Sequence, residues 1–362
     1  MSFSTISNVD ILGVSVAVPK NQLSIDSFAE QFGLESIEKF KQATGIKSIC
    51  RSIPEQTASD LGFEAAQRLL SEQQIETSEI GILLFLSQKP DFRSPNNAFI
   101  VHNRLGLAKE CLCFDINLAC SGFIVALQSI HQLLSHSSKR LALLITADTS
   151  HRTISPLDRT MIMLFGDSGS AILLGKTDQN NNQASFSIHS DGSRFKSIIT
   201  PAGAFRNLDA NQERTVWSDG IMRSDFDTHM KGMEVFEFSI TDVPNLIKSF
   251  LNERNQTPED FDYFVLHQAN QYILKQISRK VKIPAEKIPI SLDRFGNNSS
   301  NSIPLVLSDH FAHESPRELK LFFSGFGAGL SWGCATIQLN TNSILPILKT
   351  DNFYIPKNKD HE

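Results

Sequence analysis

Phe114-Asp-Ile-Asn-Leu-Ala-Cys120-Ser-Gly-Phe-Ile-Val-Ala-Leu-Gln-Ser-Ile130 reads as a short strand that turns at Cys120 into a helix. The helix is apolar on nearly every side, so it belongs in an interior rather than on a surface. A cysteine in its first turn sits where unpaired backbone N–H groups and the positive end of the helix dipole converge. That environment favours a thiolate over a thiol and an oxyanion over a neutral carbonyl. Most buried cysteines are small apolar packing residues, so Cys120 needs support from the rest of the chain before it is read as a nucleophile.

The segments around this stretch set its class. Val9 to Pro19, Ile80 to Leu86, Arg140 to Ala147 and Ala171 to Leu174 are apolar runs without polar alternation, while Ala58 to Ser71 carries apolar residues at 61, 65, 66, 69 and 70 on a helical period. Strands apolar on both faces belong to sheets covered by helices on both sides, so the first half is α/β. The polar run Asp178-Gln-Asn-Asn-Asn-Gln183 reads as a linker.

The second half repeats the first. Asp262 to Leu266 matches Ile82 to Leu86, Ser291 to Asn297 followed by a helix matches the segment into Cys120, and Leu319 to Ser324 matches Leu141 to Thr146. The first spacing is 34 residues in one half (86 to 120) and 31 in the other (266 to 297); the next is 26 (120 to 146) and 27 (297 to 324). Three matches in order at similar spacing imply a duplicated unit, and halves packed back to back bring the Cys120 and Asn297 helix starts near one axis. The expected division is residues 1–178, 179–340 and a C-terminal extension of 341–362, with an apolar Ile344 to Leu348 and a disordered polar end.

Composition excludes several classes. The chain has 362 residues, 41% hydrophobic and 20% charged, enough for two core-bearing units. Five cysteines at irregular positions (50, 111, 113, 120, 334) argue against a disulfide framework and for a reducing, cytoplasmic setting. The N-terminus lacks a basic region and a long apolar core, and no run reaches the ~20 apolar residues of a membrane span. A net charge of −5 with no basic block gives no footprint for nucleic acid.

Four segments then carry a family resemblance. Asn117-Leu-Ala-Cys-Ser-Gly-Phe123, Leu266-His-Gln-Ala-Asn270, Leu292-Asp-Arg-Phe-Gly-Asn-Asn-Ser299 and Gly325-Phe-Gly-Ala-Gly-Leu-Ser-Trp-Gly333 resemble, in order, the signature segments of β-ketoacyl-acyl-carrier-protein synthase III, of the thiolase superfamily. Lesser matches at Thr44 to Ile46, Asp158-Arg159, Phe165 to Asp167 and Gly232 to Phe236 extend the resemblance over residues 8 to 339. It implies a five-layered α-β-α-β-α thiolase-like fold with two duplicated halves, a homodimer, and a role in fatty acid or specialised metabolite synthesis. Cys120 resembles the acylated nucleophile, and His267 and Asn297 the pair that handles the extender.

The chemistry implied is an acyl transfer without a cofactor, using acyl-CoA or acyl-carrier-protein thioesters as substrates. A thioester primer is attacked by Cys120, with backbone N–H groups at Cys120 and near Ala328 holding the oxyanion. Gly325, Gly327 and Gly329 let the backbone approach closely. A malonyl-type extender then loses CO₂, and donors on His267 and Asn297 stabilise the enolate that attacks the acyl group to give a 3-oxoacyl product. Taken singly, His267 reads as a structural histidine and Asn297 as a turn residue; with Cys120 they read as a triad.

Departures bear on the substrate. The family's adenine-stacking tryptophan and adjacent arginine are replaced by Lys39 and Ala43, while the nucleotide-facing Arg159 is kept. The usual carrier-docking basic positions are Glu237 and Tyr272, and Lys275, Arg279, Lys280 and Lys282 offer a substitute patch. At the residue before Pro95, which in the family comes from the neighbouring subunit and closes the acyl tunnel, Ser94 stands where an aromatic limits others to short primers; a medium-length or branched primer is expected.

Other motifs fall away. Gly325 to Leu330 lacks the last glycine of a dinucleotide loop, Gly166-Asp-Ser-Gly-Ser170 reads as a structural turn rather than the site of a serine nucleophile at Ser168, and Cys111-x-Cys113 and His310-x-x-His313 lack the partners of a zinc site. No metal is expected. Three readings stay open: a decarboxylative condensing enzyme, the same acyl-cysteine scaffold serving another acceptor, and a non-catalytic partner subunit of a synthase.

Overall fold

A computed structural model describes residues 3–177 and 183–355. Two principal sheets form its frame. The strands in chain order are β1 (Phe3–Ile6), β2 (Val9–Pro19), β3 (Ile80–Leu86), β4 (Leu112–Ile116), β5 (Leu141–Asp148), β6 (Ser168–Lys176), β7 (Ala184–Ser190), β8 (Tyr263–Leu266), β9 (Glu318–Gly327), β10 (Ser331–Asn340) and β11 (Leu348–Thr350). Their long helices are α1 (Ala58–Glu72), α2 (Gly122–His136), α3 (Gly232–Glu253), α4 (Gln271–Val281) and α5 (Ser302–Phe311).

The first sheet runs β11-β2-β6-β5-β3-β4 and the second β1-β7-β10-β9-β8. Within them β2-β6-β5-β3 and β7-β10-β9-β8 are the same unit, two antiparallel pairings followed by a parallel one. The duplication expected from the repeated segments is therefore a repeated topology.

Side-chain alternation makes the layers. From β3, Ile82, Leu84 and Leu86 join one core with α2, α5 and the inner face of the second sheet, while Leu83 and Phe85 join another beneath α1. From β9, Leu321 and Phe323 face the shared interior, and Phe322 and Phe326 face α3 and α4. The order is helix, sheet, paired helices, sheet, helix. This explains why α2 is apolar all round: Phe123, Ile124, Leu127, Ile130 and Leu134 are buried between two sheets.

Two local expectations are corrected. Ser291 to Asn297 is not a strand like its counterpart before Cys120: Leu292–Phe295 is one helical turn, because its buried residues, Leu292 and Phe295, lie three apart rather than two. Ser168 does not lie in a turn; it already pairs with Asp148 as the first residue of β6. The chain ends also cross between sheets, β1 lying against β7 in the second and β11 against β2 in the first. Of the expected linker, 178–182 lies outside the described residues, as do the 178/179 division and the polar end from Pro356 onward. No described helix is long and apolar enough to cross a membrane.

Candidate active site

Cys120 lies in the turn after β4, just before Ser121, the cap of α2; it is not in the helix itself. Gly327, at the end of β9, is pressed against it. A Cβ on Gly327 would stand 2.8 Å from Cys120 Cβ and 3.3 Å from Sγ, so only glycine fits without displacing the thiol. Ala328 lines the cavity above the sulfur, and Gly329 holds φ at +145°. Gly327→Ala is expected to slow Cys120 acylation by roughly 100-fold, the scale of a misplaced reacting group. Acylation rates beside a melting curve test this; an unchanged rate would mean that the contact is not confining.

A short turn, Ser299–Asn301, ties the three expected residues together. The Cys120 thiol donates to Ser299 Oγ at 3.7 Å, and Ser299 N–H donates to Asn297 Oδ1 at 2.9 Å. With its oxygen engaged, Asn297 is left with its Nδ2 hydrogens to offer. Ser302 Oγ stands 3.1 Å from His267 Nδ1 and 2.8 Å from the Ser299 carbonyl. The turn is anchored to the first sheet: Thr146 meets Ser300 at 2.6 Å, Ser170 donates to Asn301 Oδ1 at 2.9 Å, and Asn301 Nδ2 donates to the Ser168 carbonyl at 3.0 Å. Ser299 keeps φ at +50°, which a non-glycine residue holds only where its surroundings require it.

Burial governs the titration of the site. It pushes the Cys120 thiol up to about 12, against the Ser299 hydrogen bond that lowers it. The thiolate expected from the helix start is therefore not the resting form, because desolvation outweighs a partial helix charge from a residue ahead of the first turn. Burial also pulls His267 down to about 3, so the ring is neutral near pH 7. With a raised pKa the thiolate fraction grows with pH throughout the working range. Alkylation of Cys120 by iodoacetamide should climb roughly tenfold per unit from pH 6 to 9; a plateau near pH 7 would contradict the raised value.

The cavity over Cys120 is also lined by Lys89, Asp148, Phe165, Ile198 and Met230. Of these, sequence reasoning touched only Phe165, as the start of a lesser family match, and missed the others. Ser299 stood inside a quoted motif and was within reach, but Lys89 lies in a loop and Ile198 in a two-residue strand paired with Met230, neither with a periodicity or spacing to flag it. Arg159 and Ser94 are exposed and line no part of the Cys120 cavity in this chain. Among the described residues, no group of three or more His, Cys, Asp or Glu side chains is disposed to hold a metal ion, and His310 Nε2 lies 3.0 Å from the Ile290 carbonyl.

Twin sheets of one strand order stacked around two buried helices are the thiolase fold, and a cysteine at the buried junction, tied through one turn to an imidazole and an amide, places the chain among that fold's condensing enzymes. Residues 114–192 match the family model of 3-oxoacyl-(acyl-carrier-protein) synthase III, and residues 251–339 that of its C-terminal part. Relatives named beta-ketoacyl-(acyl-carrier-protein) synthase III, from Streptococcus suis and Clostridium perfringens, are each 32% identical. They cover 89% and 92% of this chain and 96% and 99% of their own. A 3-oxoacyl-(acyl-carrier protein) synthase structure from Burkholderia xenovorans superposes with a TM-score of 0.88 at 30% identity, covering 96% of this chain and 99% of its own. The chain belongs to the β-ketoacyl-acyl-carrier-protein synthase III family.

Proposed function

We propose that the protein loads an acyl primer on Cys120 and condenses it with a malonyl-type thioester on an acyl carrier protein. The observation that carries this reading is the shared turn, which ties the nucleophile from one half to both candidate donors from the other. The Cys120 sulfur attacks the primer carbonyl, and the carrier thiol leaves with the thiol proton. The extender's C–CO₂ bond then breaks, and its electron pair becomes an enolate whose oxygen is met by Asn297 Nδ2–H and His267 Nε2–H. The carbon attacks the acyl-cysteine to release the 3-oxoacyl thioester, and Cys120 recovers a proton from solvent.

A neutral His267 has one N–H, so donation from Nε2 requires a bare Nδ1. Ser302 Oγ–H then turns from the Ser299 carbonyl to Nδ1, a rotation that leaves every heavy atom in place.

For the carrier, Lys275, Arg279, Lys280 and Lys282 are all exposed on or just after α4 and form a cationic face for an acidic partner, whereas Glu237 and Tyr272 are exposed and not basic. Since Ser94 is exposed and off the cavity, its proposed influence on primer length requires a homodimer in which it reaches the neighbour's cavity. Intact-mass measurement after incubation with acyl-CoAs and acyl carrier proteins, followed by malonyl carrier protein, tests the whole. An acyl adduct that is consumed with the extender is expected. An adduct discharged equally by an alcohol or amine, without loss of CO₂, would favour the other transferase reading.

A further inference from the structure

Two ionisable side chains share the cavity with Cys120 and have no part in the steps above. Asp148, at the end of β5, is 2% exposed. Its Oδ1 accepts from Ser87 Oγ–H at 2.9 Å and Gln88 N–H at 3.0 Å, which fixes the carboxylate. Its Oδ2 has no hydrogen-bond partner among the described residues. Burial pushes the Asp148 carboxyl above its ordinary value, against the pull of Lys89, the Gln88 N–H and the Ser299 and Ser87 hydroxyls. Lys89 is half-buried at the neck where the Cys120 cavity opens into a wider one under residues 199–204 and 226–228. Among the described residues it makes no ion pair within 4.0 Å; burial pulls its pKa down, and Asp148 and Cys120 are close enough to oppose that shift.

In their charged forms, each of which supports the other against burial, Lys89 only donates and Asp148 only accepts, and both reach an otherwise largely apolar cavity with open valences. A plain alkyl chain would cover both and satisfy neither. A carboxylate suits Lys89 but sets two acceptors against Asp148; an amine does the reverse. A hydroxyl accepts one hydrogen bond and donates another, and so matches both.

We propose that the primer carries a hydroxyl group near its thioester, held between Lys89 Nζ–H and Asp148 Oδ2. This rests on the acyl-loading reading above and names its substrate class. Lys89 and Asp148 are specificity-determining residues. The loading step is unchanged: the hydroxyacyl–sulfur bond of the incoming thioester breaks, the Cys120 thioester forms, and the thiol proton leaves with the carrier thiol.

The test uses the intact protein and four-carbon pantetheine thioesters: butyryl, 2-hydroxybutyryl, 3-hydroxybutyryl and succinyl. Initial rates of Cys120 acylation are read by mass. One of the hydroxyacyl thioesters should react at least about tenfold faster than butyryl, the discrimination of a met against an unmet polar group. Lys89→Met should bring that ratio close to one and raise the butyryl rate. Asp148→Asn, which keeps the Oδ1 acceptor for Ser87 and Gln88, should also lower the ratio and serves should Lys89→Met misfold. Butyryl or succinyl reacting fastest in the wild type, or a ratio unmoved in the folded variants, overturns the inference. If butyryl loads and condenses without any hydroxyl preference, this inference alone falls; if no thioester labels Cys120, the acyl-loading reading falls with it.

Discussion

Cys120→Ala yields a folded protein that no acyl thioester labels, with condensation reduced on the order of 10⁴-fold or more, the scale on which loss of a covalent nucleophile is felt. The other thiols do not substitute. A raised thiol pKa does not set Cys120 apart, since burial lifts Cys50 and Cys334 to about 12 as well and Cys111 to about 11; position does. None of the other thiols lines the cavity that Gly327 and Ala328 close over Cys120. The substitution removes one sulfur and leaves the Cys120 backbone against Gly325 and Gly327 as it was, so the fold should survive. Peptide mapping after labelling checks this, and an acyl group on any other cysteine contradicts it.

Asn297→Ala should load primer at nearly the wild-type rate and lose decarboxylative condensation by on the order of 10²–10³, the usual cost of one oxyanion donor. The backbone of Asn297 stays fixed in either case, its N–H donating to the Leu164 carbonyl at 2.9 Å and its carbonyl accepting from Gly166 N–H at 3.1 Å. Alanine also deprives Ser299 N–H of its acceptor, so Asn297→Asp is the sharper companion. Aspartate keeps that acceptor and removes both amide donors. If the donors matter, both variants lose condensation; recovery in Asn297→Asp would make the residue a support for Ser299 instead. Separate assays of acyl loading and CO₂ release distinguish these outcomes.

Much of the frame was legible because the strands bury both faces. Ile80 to Leu86 and Val9 to Pro19 are strands over the full lengths read from the sequence, and the all-round apolarity of the segment after Cys120 marked the central helix. Cys120, His267 and Asn297 were singled out from quoted motifs, and the structure adds that one turn links the three residues. What escaped depends on contacts between residues far apart. Nothing local in Phe3–Ile6 or Leu348–Thr350 announces that each completes a sheet built mostly from the other half. The turn at Leu292–Phe295 was hidden because its segment is placed by order and spacing in the repeat, and a single helical turn offers too short a pattern to overrule that. The resting thiol state of Cys120 follows from its desolvation where the two halves meet, although it still opens on the cavity, and a helix-start rule does not carry that information. The polar turn at Ser299 to Ser302 reads locally as a run of small residues; only its partners Thr146, Ser168, Ser170 and His267, drawn from both sheets, reveal it as the junction of the site.

The most direct measurement of decarboxylative condensation uses malonyl carrier protein labelled with ¹³C at its free carboxyl and protein already acylated on Cys120. One ¹³CO₂ released for each acyl group lost from Cys120, with a 3-oxoacyl thioester formed in equal amount, is the predicted result. Loss of the acyl group without ¹³CO₂, or ¹³CO₂ release that leaves the acyl-cysteine intact and forms no 3-oxoacyl thioester, would contradict it.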